Sequence, residues 1–230
     1  MISCPVCGEQ NDDLTVVCRS CKSYVQAKVD TLDLFSTIWG LIDSPSATFK
    51  RIVLSRNKNY IVLLGCLFGV ALVYAAFWYG NLGKLFANVL LLLGMGLLVG
   101  PVIGLLFTLV GALLISFIAR WFGGQSTLKN MFSVFAYAMV PVLFSLVFVL
   151  PVEVAIFGKF FFDNNPPPLV ISPVIYVALL GFDAIAVLWS WALLVLGTKV
   201  VHGFALPRAF AVIGCATALF GLAALGLRFV

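Results

Sequence analysis

Residues 85–119 read LFANVLLLLGMGLLVGPVIGLLFTLVGALLISFIA, with no charged side chain among them. A helix needs about 20 apolar residues to cross a hydrocarbon core about 30 Å thick. This stretch is therefore long enough to cross once with tilt or kink, and too short for a comfortable pair. Four further apolar runs accompany it: 59–83, the run between Lys129 and Glu153, the run between Pro173 and Lys199 (interrupted only by Asp183), and 209–227. Turn and helix-start signals separate them: Gly80-Asn81, Gly123-Gly124-Gln125-Ser126, Asn164-Asn165-Pro166-Pro167-Pro168 and Pro207. A helix satisfies its own backbone hydrogen bonds, which lipid cannot do for it. The expectation is an all-α polytopic membrane protein with five transmembrane helices.

Composition agrees. Of 230 residues, 63% are hydrophobic and only 10% charged, against roughly 25% charged in an average soluble domain. Mean hydropathy is +1.14. So few charges cannot cover the surface of a water-soluble globule, and disorder needs the opposite composition. The net charge of +5 comes from 14 Lys and Arg against 9 Asp and Glu. Its placement points to membrane orientation, and no nucleic-acid partner is expected. With the amino terminus inside, Lys84, Lys159 and Arg228 lie outside and the other eleven lie inside, among them Lys50, Arg51, Arg120, Lys129, Lys199 and Arg208. The positive-inside rule then places the amino terminus in the cytoplasm and the carboxyl terminus outside. The opening Met1-Ile2-Ser3-Cys4-Pro5 has neither a basic nor an apolar signal region, consistent with a cytoplasmic start.

Three zones follow: a polar, cysteine-bearing segment (1–28), a linker of amphipathic or interfacial helices (29–59), and a five-helix transmembrane domain (60–230). In the linker, Leu32, Phe35, Ile38, Trp39 and Ile42 recur at offsets of three and four, one helical face. Ser44-Pro45 reads as an N-cap followed by proline at the first helical position. The next helix carries Phe49, Ile52 and Val53, with Lys50, Arg51 and Arg56 near the headgroups. These helices can lie in the membrane interface or pack on the cytoplasmic end of the bundle, and the two readings are compatible.

The first zone contains Cys4-Pro5-Val6-Cys7-Gly8 and, ten residues after Cys7, Cys18-Arg19-Ser20-Cys21. Two C-x2-C turns supply the four tetrahedral ligands that Zn²⁺ prefers. Gly8 permits the positive φ that such a turn needs. Four thiolates on Zn²⁺ leave a charge of −2, which Arg19 and Lys22 are placed to offset. Val16, Val17, Tyr24 and Val25 would form a very small core, so metal would supply much of the folding free energy. Disulfides are disfavoured in a reducing compartment, a redox pair lacks a thioredoxin-like context, and a catalytic zinc needs an open coordination position. Cys66 and Cys215 read as small core residues inside spans.

Within the membrane zone, Asp183 is placed about ten residues into its span. It is either a functional carboxylate facing protein or water, or a hydrogen-bonded residue tying helices together. Glu153, after Pro151 at the outer end of the third span, is expected as an interfacial carboxylate reaching water. The two acids could also line a polar crevice open to the far side. Gly96, Gly100 and Gly104 share a face of the second span, followed by Gly111, and Gly65 and Gly69 repeat the spacing in the first. Such faces allow close helix approach, within one chain or in a dimer. Pro101 and Pro141 are expected to kink their helices. Catalytic constellations are missing: His202 is the one histidine, beside Lys199 at a cytoplasmic end, and there is no H-E-x-x-H, G-x-S-x-G or P-loop.

Four stretches together resemble the Yip1 family. They are Trp39-Gly40-Leu41-Ile42-Asp43-Ser44-Pro45-Ser46-Ala47-Thr48-Phe49; Gly123 to Lys129 running into Phe135-Ala136-Tyr137-Ala138-Met139-Val140-Pro141; Phe182-Asp183 with Leu188-Trp189-Ser190-Trp191-Ala192-Leu193-Leu194 and Gly197; and Val201-His202-Gly203-Phe204 with Arg208-Ala209. The cysteine segment lies outside this resemblance and is similar to the short zinc ribbons attached to many bacterial membrane proteins. The resemblance implies a five-span, non-enzymatic integral membrane protein. Eukaryotic relatives act in the early secretory pathway and associate with one another and with prenylated small GTPases through amino-terminal regions. The expected function is a membrane-organising or trafficking-like adaptor in an inner (plasma) membrane, with structural Zn²⁺ on Cys4, Cys7, Cys18 and Cys21. Its expected partners are the lipid bilayer, copies of itself or other membrane proteins, and a cytoplasmic protein docked on the ribbon. The alternative is a transporter or lipid-handling protein that uses the crevice around Asp183 and Glu153.

Overall fold

A computed structural model describes residues 1–26, 31–163 and 165–226, with side chains as far as Leu222. The expected boundary between Lys28 and Val29, Asn164, and the end from Leu227 with Arg228 lie outside the described residues. The amino-terminal head has two short strands, β1 (Ile2–Ser3) and β2 (Gln10–Asn11), paired antiparallel with Ile2 opposite Asn11. Helices follow: α1 (Leu34–Asp43), α2 (Pro45–Leu54), α3 (Ile61–Tyr79), α4 (Val89–Trp121), α5 (Leu128–Ala138), α6 (Val140–Phe144), α7 (Leu150–Phe157), α8 (Pro168–Ile171), α9 (Pro173–His202) and α10 (Leu206–Gly226). A π-helical turn, Ser145–Val149, joins α6 to α7, and a 3-10 turn, Gly158–Phe162, follows α7.

Among the described residues, four helical segments are long and apolar enough to cross a membrane: Ile61–Tyr79, Val89–Trp121, Leu128–Phe162 and Pro173–His202. The fifth expected run forms α10, counted among the shorter apolar helices over its described part, Leu206–Leu222. At 1.5 Å per residue α4 is about 50 Å long, more than a bilayer core requires. The third segment runs on past Glu153 to Phe162, which puts that acid inside the segment rather than at its end.

Side-chain chemistry sets the helix ends. Asp33 accepts from the Ser36 amide, Asn88 from Leu91 and Thr127 from Asn130, satisfying amides that have no helical partner. Ser44 makes no side-chain cap; Pro45 alone marks the start of α2. Gly203 closes α9 at φ +68, a left-handed position that glycine adopts without penalty.

α5 is buried on nearly every side, from Met131 through Ala138, as a helix apolar all round should be. It packs on α3, α4, α9 and α2. Phe49 and Ile52 of α2 are buried in the same core, and Gly197 of α9 gives Phe49 its room. The linker therefore packs on the bundle, while the expected apolar face of α1 is split, with Leu32 buried and Phe35, Trp39 and Ile42 exposed. The glycine face of α4 meets α3 of the same chain: a Cβ on Gly96 would strike the Tyr74 ring, one on Gly100 would come within 2.6 Å of Val70 Cα, and one on Gly104 would fall on the Gly65 carbonyl oxygen. A second aromatic cluster, with Tyr74, Phe157, Phe161 and Phe162, fills the other end.

Candidate metal centre and intramembrane carboxyl pair

The two cysteine turns are built alike. The Cys4 amide donates to the Glu9 carbonyl at 2.9 Å and its carbonyl accepts from Gly8 at 2.9 Å; the Cys18 amide donates to Ser23 at 2.8 Å and its carbonyl accepts from Lys22 at 3.2 Å. Gly8 (φ +74) and Lys22 (φ +62) hold the same left-handed place in their turns. The β1–β2 pair closes the first turn, and an isolated Val17–Tyr24 bridge closes the second. Cys4 Sγ and Cys21 Sγ lie 3.6 Å apart, as do Cys7 Sγ and Cys18 Sγ. All four ligand atoms lie within 4.8 Å of one another. Zn–S bonds of about 2.3 Å in a tetrahedron require sulfurs about 3.8 Å apart, so the donor set fits a single Zn²⁺.

Local electrostatics favour the thiolate at Cys4 and Cys18 and oppose it at Cys7. The Ser23 hydroxyl, then the backbone amides of Cys7 and Val6, lower Cys4 to about 6. The Cys21 amide leads the effects that lower Cys18. At Cys7 the Glu9 amide favours the thiolate, but the neighbouring thiols of Cys21, Cys18 and Cys4, together with desolvation, outweigh it and push Cys7 up to about 12. Crowded thiols resist carrying four charges until a cation shares them. Sequence reasoning missed Ser23, whose Oγ lies 2.9 Å from Cys21 Sγ, and Asn11, whose Nδ2 donates to Cys18 Sγ at 3.5 Å.

Other expectations for the head are corrected. Tyr24 is 72% exposed and Val17 is exposed too, so they form no core. The buried residues are Cys4, Cys18 and Asn11, because two short turns leave no interior beyond the thiols. Arg19 pairs with Asp12 at 2.6 Å, an oppositely charged neighbour in direct reach. In the bundle, Cys215 is exposed and Cys66 only half-buried; in lipid an apolar thiol needs no core. The head sits at one end of the bundle, where Asp12, Arg19, Lys50, Gly123, Lys199 and His202 line a common surface. Lys159 and Gly83, the residue before Lys84, meet at the other end. His202 stacks on Phe204 with ring centroids 5.2 Å apart, and its ring nitrogens have no partner among the described residues.

The second constellation lies inside the bundle. Pro151 has no N–H and crowds the carbonyl four residues back. Just before it the helix widens, and the Leu150 amide reaches back five residues to Ser145. Such turns recur at functional sites. Ser145 donates its hydroxyl to Asp183 Oδ1. The two acids and Ser145 line one cavity of about 380 Å³, with Tyr74, Trp78 and Phe161 among its walls. Glu153 is only 1% exposed, which corrects the expectation of a water-reaching carboxylate: its segment continues beyond it and covers it. Its Oε1 has no hydrogen-bond partner among the described residues. The tie from Ser145 to Asp183 was not foreseen.

A family model described as the Yip1 domain matches residues 39–227. No curated protein and no solved structure matches the chain. The match begins at Trp39 and leaves the cysteine head outside it.

Proposed function

The chain belongs to the Yip1 family of membrane proteins, and on that premise we propose that it is a non-enzymatic, membrane-organising adaptor whose amino-terminal zinc ribbon is a cytoplasmic docking module. The units are the ribbon (1–28), the linker helices (29–59) and a five-span domain (60–230), with α10 as the fifth span. Cys4, Cys7, Cys18 and Cys21 hold a structural Zn²⁺ that fixes the shape of the ribbon and takes no part in chemistry. The protein resides in an inner (plasma) membrane, amino terminus inside and carboxyl terminus outside. Lys50, Arg120, Lys129 and Lys199 against Lys84 and Lys159 support that orientation.

One observation carries the docking role: a four-thiol centre of zinc-site dimensions is seated on one polar end of an otherwise apolar bundle. Four sulfurs close the metal to substrate, which leaves recognition as its use. The partner is a protein of the cytoplasmic compartment, with self-association through the bundle as a second contact. Affinity capture from detergent-solubilised membranes, comparing wild type with a Cys4→Ser/Cys7→Ser variant, tests this. Loss of specific partners from the variant is expected; identical partner sets would overturn it. Protease protection that places the head on the opposite face would overturn the orientation.

A further inference from the structure

We propose that the groove between α3 and α9 binds an amphiphile bearing one protonated amine, its ammonium held by Glu153 and Asp183 and its chain leaving sideways into lipid. The inference is independent of the cysteine head. It begins with Glu153, whose carboxyl is almost wholly buried, lines the cavity and keeps Oε1 without a partner. A buried polar atom without a hydrogen bond is costly, and a charged donor from a ligand removes that cost.

Charge selects the donor. Glu153 and Asp183 line the same wall and no basic side chain is among the described lining residues, so the wall attracts a cation and repels an anion. An ammonium supplies the N–H donor that the unpartnered Glu153 Oε1 lacks. Ca²⁺ and Mg²⁺ want six or more oxygen ligands, and the wall offers mainly carbon beyond the two acids and Ser145. Tyr74, Trp78 and Phe161 bring ring surfaces to the same space, and aromatic faces attract ammonium groups. At about 380 Å³ the cavity is far larger than an inorganic ion and lies in the range of small-molecule sites.

Access comes from the lipid side. Ala75 of α3 and Ala184 and Val187 of α9 line the cavity and are exposed. Trp78 Nε1 donates to the Tyr176 hydroxyl at 3.1 Å, joining α3 to α9 near one end of the groove. The open lip between small side chains suits an alkyl chain. An aminophospholipid of the bilayer and a free lipophilic amine share this chemistry.

The test uses full-length protein in phosphatidylcholine nanodiscs and a diazirine-bearing dodecylamine, with the matching dodecanol and dodecyl sulfate probes as controls. Cross-linked peptides are mapped by mass spectrometry. The amine should label the peptides of α3 and α9 around the groove about tenfold more than the alcohol, the ratio a charge-assisted contact confers. Glu153→Gln with Asp183→Asn should abolish that preference. Ala184→Phe, which keeps both acids and fills the cavity, should abolish labelling itself and stands if the double variant fails to fold. Competition by added phosphatidylethanolamine identifies a bilayer aminolipid as occupant; competition only by unlabelled dodecylamine identifies a free amine. Equal labelling by amine and alcohol, or full labelling of Ala184→Phe, would overturn the proposal.

Discussion

The backbone of Gly69 in α3 lies against the backbone of Gly104 in α4, so near that a Cβ on Gly104 would stand 2.5 Å from the Gly69 Cα and amide nitrogen. Two apolar helices gain no hydrophobic free energy by leaving lipid for one another, so close main-chain packing has to hold the pair. The five glycines at 65, 69, 96, 100 and 104 make that packing, and it is internal to one chain.

Gly104→Val should therefore be strongly destabilising. The obstructing atoms are backbone, which cannot swing aside, and overpacking costs typically about 1–3 kcal/mol and sometimes more; we expect about 3 kcal/mol. Gly94 provides the contrast, since a Cβ there meets nothing within 4 Å. Gly94→Ala should be neutral or stabilise by about 0.5–1 kcal/mol, the usual gain from removing a helical glycine. Unfolding midpoints in detergent micelles measure both, and a wild-type midpoint for Gly104→Val would refute the contact.

The cysteine head should carry one zinc per chain by elemental analysis. Cys4→Ser and Cys18→Ser should lose it, because both thiols are buried members of the set. Cys66→Ser and Cys215→Ser should keep it. Ser23→Ala should retain zinc with affinity reduced about tenfold, the lower range for removing a hydrogen bond to a ligand, measured by chelator competition. Equal metal content in Cys18→Ser and wild type would exclude these thiols as the site.

The helical bundle was legible from Leu85 to Ala119 and its companion runs because lipid imposes one coarse rule, length and apolarity. The thiol set was legible because C-x2-C spacing is local. What the sequence withheld depends on packing between distant segments. Nothing local to Ser145 announces a hydrogen bond to Asp183, 38 residues away. Glu153 was misplaced because a span's end was read from the charge itself, whereas burial follows from the continuation to Phe162. Glycine spacing marked a close-packing face but could not name the facing helix, which the α3 contacts supply.

Lys58 provides a pH test outside the membrane segments. Its Nζ donates to the carbonyls of Ile52 at 2.8 Å, Val53 at 3.2 Å and Ser55 at 3.4 Å, closing the end of α2. Burial, followed by the like charge of Lys129, pulls its ammonium down to about 8 from 10.5. Between those values the unfolded chain holds more protons than the folded one. This group's contribution to stability therefore rises with pH from about 8 to 10.5 and is flat below that window. The difference in unfolding free energy between wild type and Lys58→Met should grow in favour of wild type across the window. A difference independent of pH from 7 to 11 would show that Lys58 titrates as an exposed lysine.

Ser145 and Asp183 should behave as a coupled pair. The Ser145 hydroxyl donates to Asp183 from the widened turn before Pro151, linking the third membrane segment to α9. Removing the donor leaves the carboxyl short of a partner in a region with little water, at a cost of about 1–3 kcal/mol. Ser145→Ala and Asp183→Asn should each lower stability, yet the double variant should lose less than their sum, since the bond can be broken only once. A coupling energy of about 0.5–3 kcal/mol is the range for residues in contact. Additive losses would mean that the two side chains act separately. Ser145→Thr, which keeps a hydroxyl, should restore most of what Ser145→Ala loses, and that rescue separates a lost hydrogen bond from a general disturbance of the π-helical turn.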